Sequence, residues 1–242
     1  MAGHNKWSKI KNKKGKEDAK RAKEFTKLGR ALMVAAKQGG DNPDYNAALK
    51  SAIDKAKSIN MPNDNIMRAI KKGVSATDGE NFEQVTYEGY GPGGIAVIVE
   101  CLTDNRNRTA PDVRHAFDKF GGNLGTTGSV SFMFDHVGVI LLDETKYDFD
   151  TVMMDALETD VKDIKSEDGV IVIYTSIESF NDVKNYLKEK SYEFIESDIM
   201  YVAQNYQKLA DEEKEDMEKL VDMLEENDDV QNVYHNWLED EE

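Results

Sequence analysis

The sequence predicts an α+β protein of three domains: an N-terminal three-helix bundle, a discontinuous α/β middle domain, and a ferredoxin-like α/β domain inserted into it. Three observations lead there. Apolar residues recur at helical spacing through much of the first 73 residues, punctuated by glycine and proline. Between residues 135 and 203 the pattern runs strand, helix, strand, strand, helix, strand, which is the split βαβ order. The tail offers one amphipathic helix and one strand, which cannot form a core alone and need a sheet to join. The expected bounds are 1–78 for the basic arm and helical domain, 79–134 plus 204–242 for the middle domain, and 135–203 for the acidic insertion.

Residues 1–16 carry Lys6, Lys9, Lys11, Lys13, Lys14 and Lys16 with no acidic side chain. Such a stretch is too polar to bury a core, so an arm that orders on meeting a partner is expected. Six phosphate contacts would give log affinity a slope of roughly −5 against log salt on duplex DNA. Two roles are open to Trp7, stacking on a base or anchoring the arm to the helices behind it.

The first helix runs from Glu17 to about Lys37 on the spacing of Ala22, Phe25, Leu28, Leu32 and Ala35 or Ala36, and Gly39-Gly40 stops it. Pro43 is read as opening a second helix, with Leu49, Ile53, Ala56 and Ile59 on one face. Pro62 opens a third, with Ile66, Ala69 and Ile70 inward and Gly73 closing it. Lys20, Arg21, Lys23, Lys27, Arg30, Lys71 and Lys72 fall on the outer faces. A basic helical face is either a solvated surface or a nucleic-acid contact, and no residue here fixes a recognition helix.

The middle domain centres on a glycine-rich turn, Tyr87-Glu88-Gly89-Tyr90-Gly91-Pro92-Gly93-Gly94, followed by the β-branched run 95–99. A polar strand-end loop, Thr103-Asp104-Asn105-Arg106-Asn107-Arg108-Thr109, precedes a helix over 111–120 that Pro111 would start and Gly121-Gly122 would end. Loops at the carboxyl ends of strands are where binding groups concentrate, although Asp104, Asn105 and Asn107 also suit a plain turn. A second glycine-rich loop, residues 121–129, could present amides to a phosphate or be a structural turn; it matches no nucleotide-binding motif. Strands are expected over 130–134 and 138–142, a helix capped by Asp150, strands 161–165 and 169–175 about the turn Ser166-Glu167-Asp168, a helix through Phe180, Val183 and Leu187, and a strand between 193 and 202. In the tail Asp211 would cap a helix, residues 230–234 would form a strand, and 238–242 would be disordered.

Charge divides the chain. Residues 1–73 hold 18 Lys and Arg against 7 Asp and Glu, a net of +11, and the remainder holds 13 against 40, a net of −27. Such asymmetry points to a polyanion bound by the basic part. The single cysteine, Cys101, excludes a disulfide framework and a cysteine metal site. His4, His115, His136 and His235 form no metal-binding pair, and no nucleophile motif or cofactor fingerprint is present, so neither an enzyme nor a cofactor is expected. No run approaches a membrane span, and a cytoplasmic location is expected.

Several runs resemble one family. They are Met1-Ala2-Gly3-His4-Asn5-Lys6-Trp7, Phe25-Thr26-Lys27-Leu28, Ala35-Ala36-Lys37-Gln38-Gly39-Gly40, and Ala52-Ile53-Asp54-Lys55-Ala56 followed by Asn60-Met61-Pro62. With them go both middle-domain motifs quoted above, Gly128-Ser129-Val130, and Asp229-Val230-Gln231-Asn232-Val233-Tyr234-His235-Asn236. Across essentially the whole chain the sequence is similar to the YebC/PmpR family. The departures are Asn5 in place of serine, Asn12-Lys13-Lys14 in place of His-Arg-Lys, and Val202-Ala203 where a proline is usual.

The resemblance implies a helical N-terminal domain with two α/β domains, and DNA-binding transcriptional regulation in bacteria; mitochondrial relatives are translational activators of cytochrome c oxidase. The nucleic-acid candidates are therefore Lys6, Trp7, Lys9, Lys11, Lys13, Lys14, Lys16, Lys20, Arg21, Lys23, Lys27 and Arg30 on duplex DNA. The alternative is a ribosome-associated translation factor binding ribosomal RNA, with Asn105, Arg106, Asn107 and Arg108 added and the acidic domains facing basic ribosomal or regulatory proteins.

Overall fold

A computed structural model describes residues 17–75 and 82–239. It is an α+β fold with seven α-helices and two antiparallel sheets among the described residues. The described residues form two compact units, one comprising 17–75, 82–130 and 209–235 and the other 131–208 with 236–239.

In the first unit, helices α1 (Glu17–Gly39), α2 (Ala47–Ser58) and α3 (Asn63–Ser75) bury Leu32, Ala35, Ala36, Leu49, Ala56, Ile66 and Ile70 in one cluster. Asn46, not Pro43, starts α2. Its Oδ1 accepts from the Leu49 amide at 3.0 Å, and its Nδ2 donates to Ala35 O at 2.7 Å and Gly40 O at 2.9 Å. A buried amide with three satisfied bonds outcompetes the preset φ of a proline as a helix start. Gly73 does not end α3, which continues to Ser75; a Cβ there would stand 2.3 Å from Met33 O, so its role is to let α3 lie directly on α1.

The same unit holds a sheet of order β3-β1-β2-β8, from β1 (Glu83–Tyr90), β2 (Ala96–Thr103), β3 (Asn123–Leu124) and β8 (Val230–His235). The stretch Tyr87–Tyr90, read as turn, is the end of β1, because each residue pairs with β2 in register from Glu83↔Thr103 to Tyr90↔Ala96. The tail strand does complete this sheet, pairing with β2 from Val97↔His235 to Cys101↔Val230. Helices α4 (Arg106–Lys119) and α7 (Asp211–Glu226) bury Val113, Ala116, Phe117, Met217, Leu220, Val221 and Leu224.

The second unit contains β4 (Phe134–Asp143), α5 (Phe149–Ala156), β5 (Val161–Glu167), β6 (Val170–Thr175), α6 (Phe180–Glu189) and β7 (Phe194–Ala203). Its sheet order, β5-β6-β4-β7, is the ferredoxin-like arrangement, and Ile140, Leu142, Ile171 and Ile173 meet Val152, Ala156, Phe180, Val183 and Leu187 in its core. Three local readings are corrected. Residues 131–133 form a 3-10 turn and a single strand starts at Phe134. Asp148, whose Oδ2 accepts from the Thr151 amide at 3.0 Å, caps α5 in place of Asp150. Leu238, expected in a disordered tail, donates to Gln207 O at 2.8 Å beside the Gln207–Trp237 bridge.

Candidate nucleic-acid interface

The arm candidates Lys6, Trp7, Lys9, Lys11, Lys13, Lys14 and Lys16 lie outside the described residues. Lys20 and Arg21 belong to α1, and their side chains are likewise outside the description.

Lys23, Lys27 and Arg30 follow one another at i, i+4 and i+7 on α1 and meet the carboxyl end of α7. Lys27 Nζ donates to Glu225 O at 3.0 Å, and Arg30 Nη1 donates to Asp228 O at 2.6 Å and to Asp229 Oδ1 at 2.7 Å. Lys23 Nζ stands 3.8 Å from Glu226 Oε1 in an exposed pair of small energetic weight. The last carbonyls of a helix lack intrahelical donors and carry the negative end of its dipole, so cations are favoured there. Burial pushes the Lys27 ammonium below its ordinary pKa, and Glu225 and Asp228 pull it partly back. Lys27 and Arg30 thus hold the helical bundle to the tail.

Asp229 is the centre of this contact. It precedes β8 and its side chain is only 5% exposed. Oδ1 receives Arg30; Oδ2 receives Arg108 Nη2 at 2.8 Å and lies 2.7 and 3.1 Å from the Thr109 and Thr103 hydroxyls. Burial alone would raise its pKa, but the bonds from Arg108, Thr109 and Arg30 win and hold it below the usual carboxylate range. Its own bond to Asp229, with a second that Arg108 Nη2 donates to Asp104 Oδ1 at 2.8 Å, raises Arg108 above its ordinary value.

Consequently the four strand-end candidates have separate fates. Asn105 is the N-cap of α4, its Oδ1 accepting from the Arg108 amide at 3.1 Å, so the presumed polar loop is the helix's first turn and Pro111 lies inside it. Arg108 is held by two carboxylates. Arg106 and Asn107 are exposed, the Arg106 side chain 60% so, with a long 3.9 Å pairing to Glu83. Sequence reasoning missed Asp229 as the partner that sorts these residues, because it lies 121 positions from Arg108 and 199 from Arg30.

The second glycine-rich loop faces a carboxylate belonging to the protein. Glu88, buried on β1, accepts from the Gly128 and Val130 amides, both at 2.8 Å, so the loop's donors already serve an internal anion. On the bundle, Lys50, Lys57, Arg68 and Lys71 are exposed. Among the described residues no group of three or more His, Cys, Asp or Glu is disposed to hold a metal ion. Burial pushes the Cys101 thiol up to about 12, with Asp229 adding to the effect, so it carries no thiolate at neutral pH. No described helix is long and apolar enough to cross a membrane.

A basic helical bundle joined to an α/β sheet that the tail completes, with a ferredoxin-like unit inserted in the sequence before that tail, defines a class of multi-domain α+β protein. The model for the TACO1/YebC N-terminal domain matches residues 5–76 and that for its second and third domain matches 82–237. The chain belongs to the TACO1/YebC family. A relative from Finegoldia magna, described as a probable transcriptional regulatory protein, is 59% identical over 98% of this chain and 99% of its own. One from Acetivibrio thermocellus with the same description is 55% identical over 98% and 99%. The crystal structure of a conserved hypothetical protein from Aquifex aeolicus superposes with a TM-score of 0.86 at 42% identity, covering 98% of each chain.

Proposed function

We propose that this chain is a non-enzymatic, cytoplasmic regulator of transcription that binds duplex DNA through its arm and helical domain. The charge division carries the reading: +11 over residues 1–73 against −27 over the rest. The regulatory description of its relatives supports it. Lys6, Lys9, Lys11, Lys13, Lys14, Lys16, Lys20 and Arg21 are the proposed phosphate contacts, with Trp7 stacking or anchoring; Lys23, at the edge of the tail contact, is a further one. The domain bounds 1–78, 79–134 with 204–242, and 135–203 are proposed with it.

The test is fluorescence anisotropy of a labelled duplex, titrated at several salt concentrations with the native chain and with Lys9, Lys11, Lys13 and Lys14 all changed to Glu. Loss of four phosphate contacts should reduce the salt slope by roughly 3 to 4 units. Equal binding by both proteins would sink the proposal.

A second reading, ribosome association through ribosomal RNA, draws on the −27 remainder, whose charge suits basic protein neighbours, and on the exposed Arg106 and Asn107. Sedimentation of a DNase-treated lysate through sucrose tests it. Co-migration with ribosomes that Arg106→Ala with Asn107→Ala abolishes would favour translation, while a chain that stays at the top of the gradient excludes it.

A further inference from the structure

Resting on the DNA-binding reading, we infer that α3 is the element that enters the major groove, with Met67 and Val74 lying against thymine methyl groups. The outer face of α3 carries an apolar stripe amid cations. Met67 is 63% exposed and Val74 51%, with Lys71 between them at i, i+4, i+7 spacing. Arg68 and Lys72, also exposed, flank the stripe. The opposite face is fixed, since Ile66 and Ile70 are buried in the bundle core and Gly73 lets α3 rest on the Met33 backbone. A rigid scaffold therefore presents this face.

Duplex DNA fits it on three grounds. The cations complement phosphate, as in any solvated basic face, but two large apolar side chains held in water gain only from a partner with apolar groups among its charges. The major groove supplies them as thymine C5-methyl groups and is wide enough for a helix. Arg68 suits the O6 and N7 acceptors of guanine, and Lys71 suits phosphate. Asp64, the one acidic residue of α3, lies in its first turn, where a carboxylate can accept from cytosine N4 but would repel the backbone. By contrast Lys27 and Arg30 of α1 are engaged with the tail. An A-form RNA duplex has a major groove too narrow for α3 and uracil without the methyl.

The experiment selects bound sequences from a pool of short random duplexes, then titrates the winner and a twin carrying deoxyuridine for thymidine. The native chain should enrich thymine-containing sites and bind the twin about fourfold more weakly for each methyl contacted. Met67→Ser and Val74→Ser, at exposed positions that leave the core intact, should bind both duplexes alike and keep the salt slope. If the native chain ignores the substitution while arm charge reversal still abolishes binding, the α3 assignment falls and the DNA reading stands. Should the native chain bind no duplex, both fall, and tighter binding of an RNA duplex likewise overturns the groove assignment.

Discussion

Replacing Asp229 tests the account of how the helical bundle is held. Asp229→Ala removes the acceptor for Arg30, Arg108, Thr103 and Thr109 at once. Arg108 is half exposed and can return to water, but the Arg30 side chain is 18% exposed and faces the vacated site. Breaking a buried, hydrogen-bonded pair by removing one partner costs about 3–5 kcal/mol. Because Arg30 keeps its bond to Asp228 O, the low end, about 3 kcal/mol, is the expected loss. Asp229→Asn keeps the shape but turns an NH2 toward one set of donors, so it should recover only part of this. Urea unfolding by circular dichroism, at matched pH, measures both. The sign with pH follows from the depressed pKa of Asp229: its contribution is fully present above the unfolded value of about 3.9 and is lost as pH falls through the folded one. The native chain should therefore lose stability on acidification more steeply than Asp229→Asn. A loss below about 1 kcal/mol for Asp229→Ala, or parallel acid profiles, would refute the hub.

Three further outcomes are expected. Asn46→Ala removes a helix cap and leaves Ala35 O and Gly40 O without their donor, which should cost about 2–3 kcal/mol in the same assay. Glu88→Gln can serve only one of the Gly128 and Val130 amides as acceptor, so hydrogen exchange at one of the two should accelerate while the core of β2 stays protected. Gly73→Ala drives a methyl into the Met33 carbonyl and should destabilise the bundle by about 1–3 kcal/mol, whereas Ser75→Ala, two residues on and exposed, should lie within about 0.5 kcal/mol of the native chain.

The fold was legible wherever one face of an element had to be buried. The apolar spacing of Leu32, Leu49, Ile66 and Ile70 announced the bundle, and the alternation of strands and helices announced the ferredoxin-like order. The need of the tail helix and strand for a host sheet also came from the sequence, because neither could bury its apolar side unaided. What misled was proline. Pro43 and Pro111 both drew a helix start toward themselves, while an asparagine nearby, Asn46 after the one and Asn105 before the other, made the capping bonds. Proline fixes one angle and satisfies no orphan amide; Asn satisfies one and tolerates the extended backbone of a cap.

That misreading reached the site. As a loop, Asn105-Arg106-Asn107-Arg108 offered four side chains of equal standing; as the first turn of α4 it divides them by direction. Asn105 turns back onto the helix, Arg108 turns inward to Asp104 and Asp229, and Arg106 and Asn107 remain outside. The same division applies to α1, where Lys27 and Arg30 satisfy the end of α7. Composition counts every cation toward a partner, but a cation aligned with a helix terminus or a buried carboxylate has its partner within the chain. The charge available for a polyanion is therefore smaller than the +11 of residues 1–73. It follows that Arg30→Ala should weaken stability more than DNA binding, and charge reversal of the arm lysines the converse. A matched loss of both properties in either variant would show that docking of the bundle and nucleic-acid binding are one event.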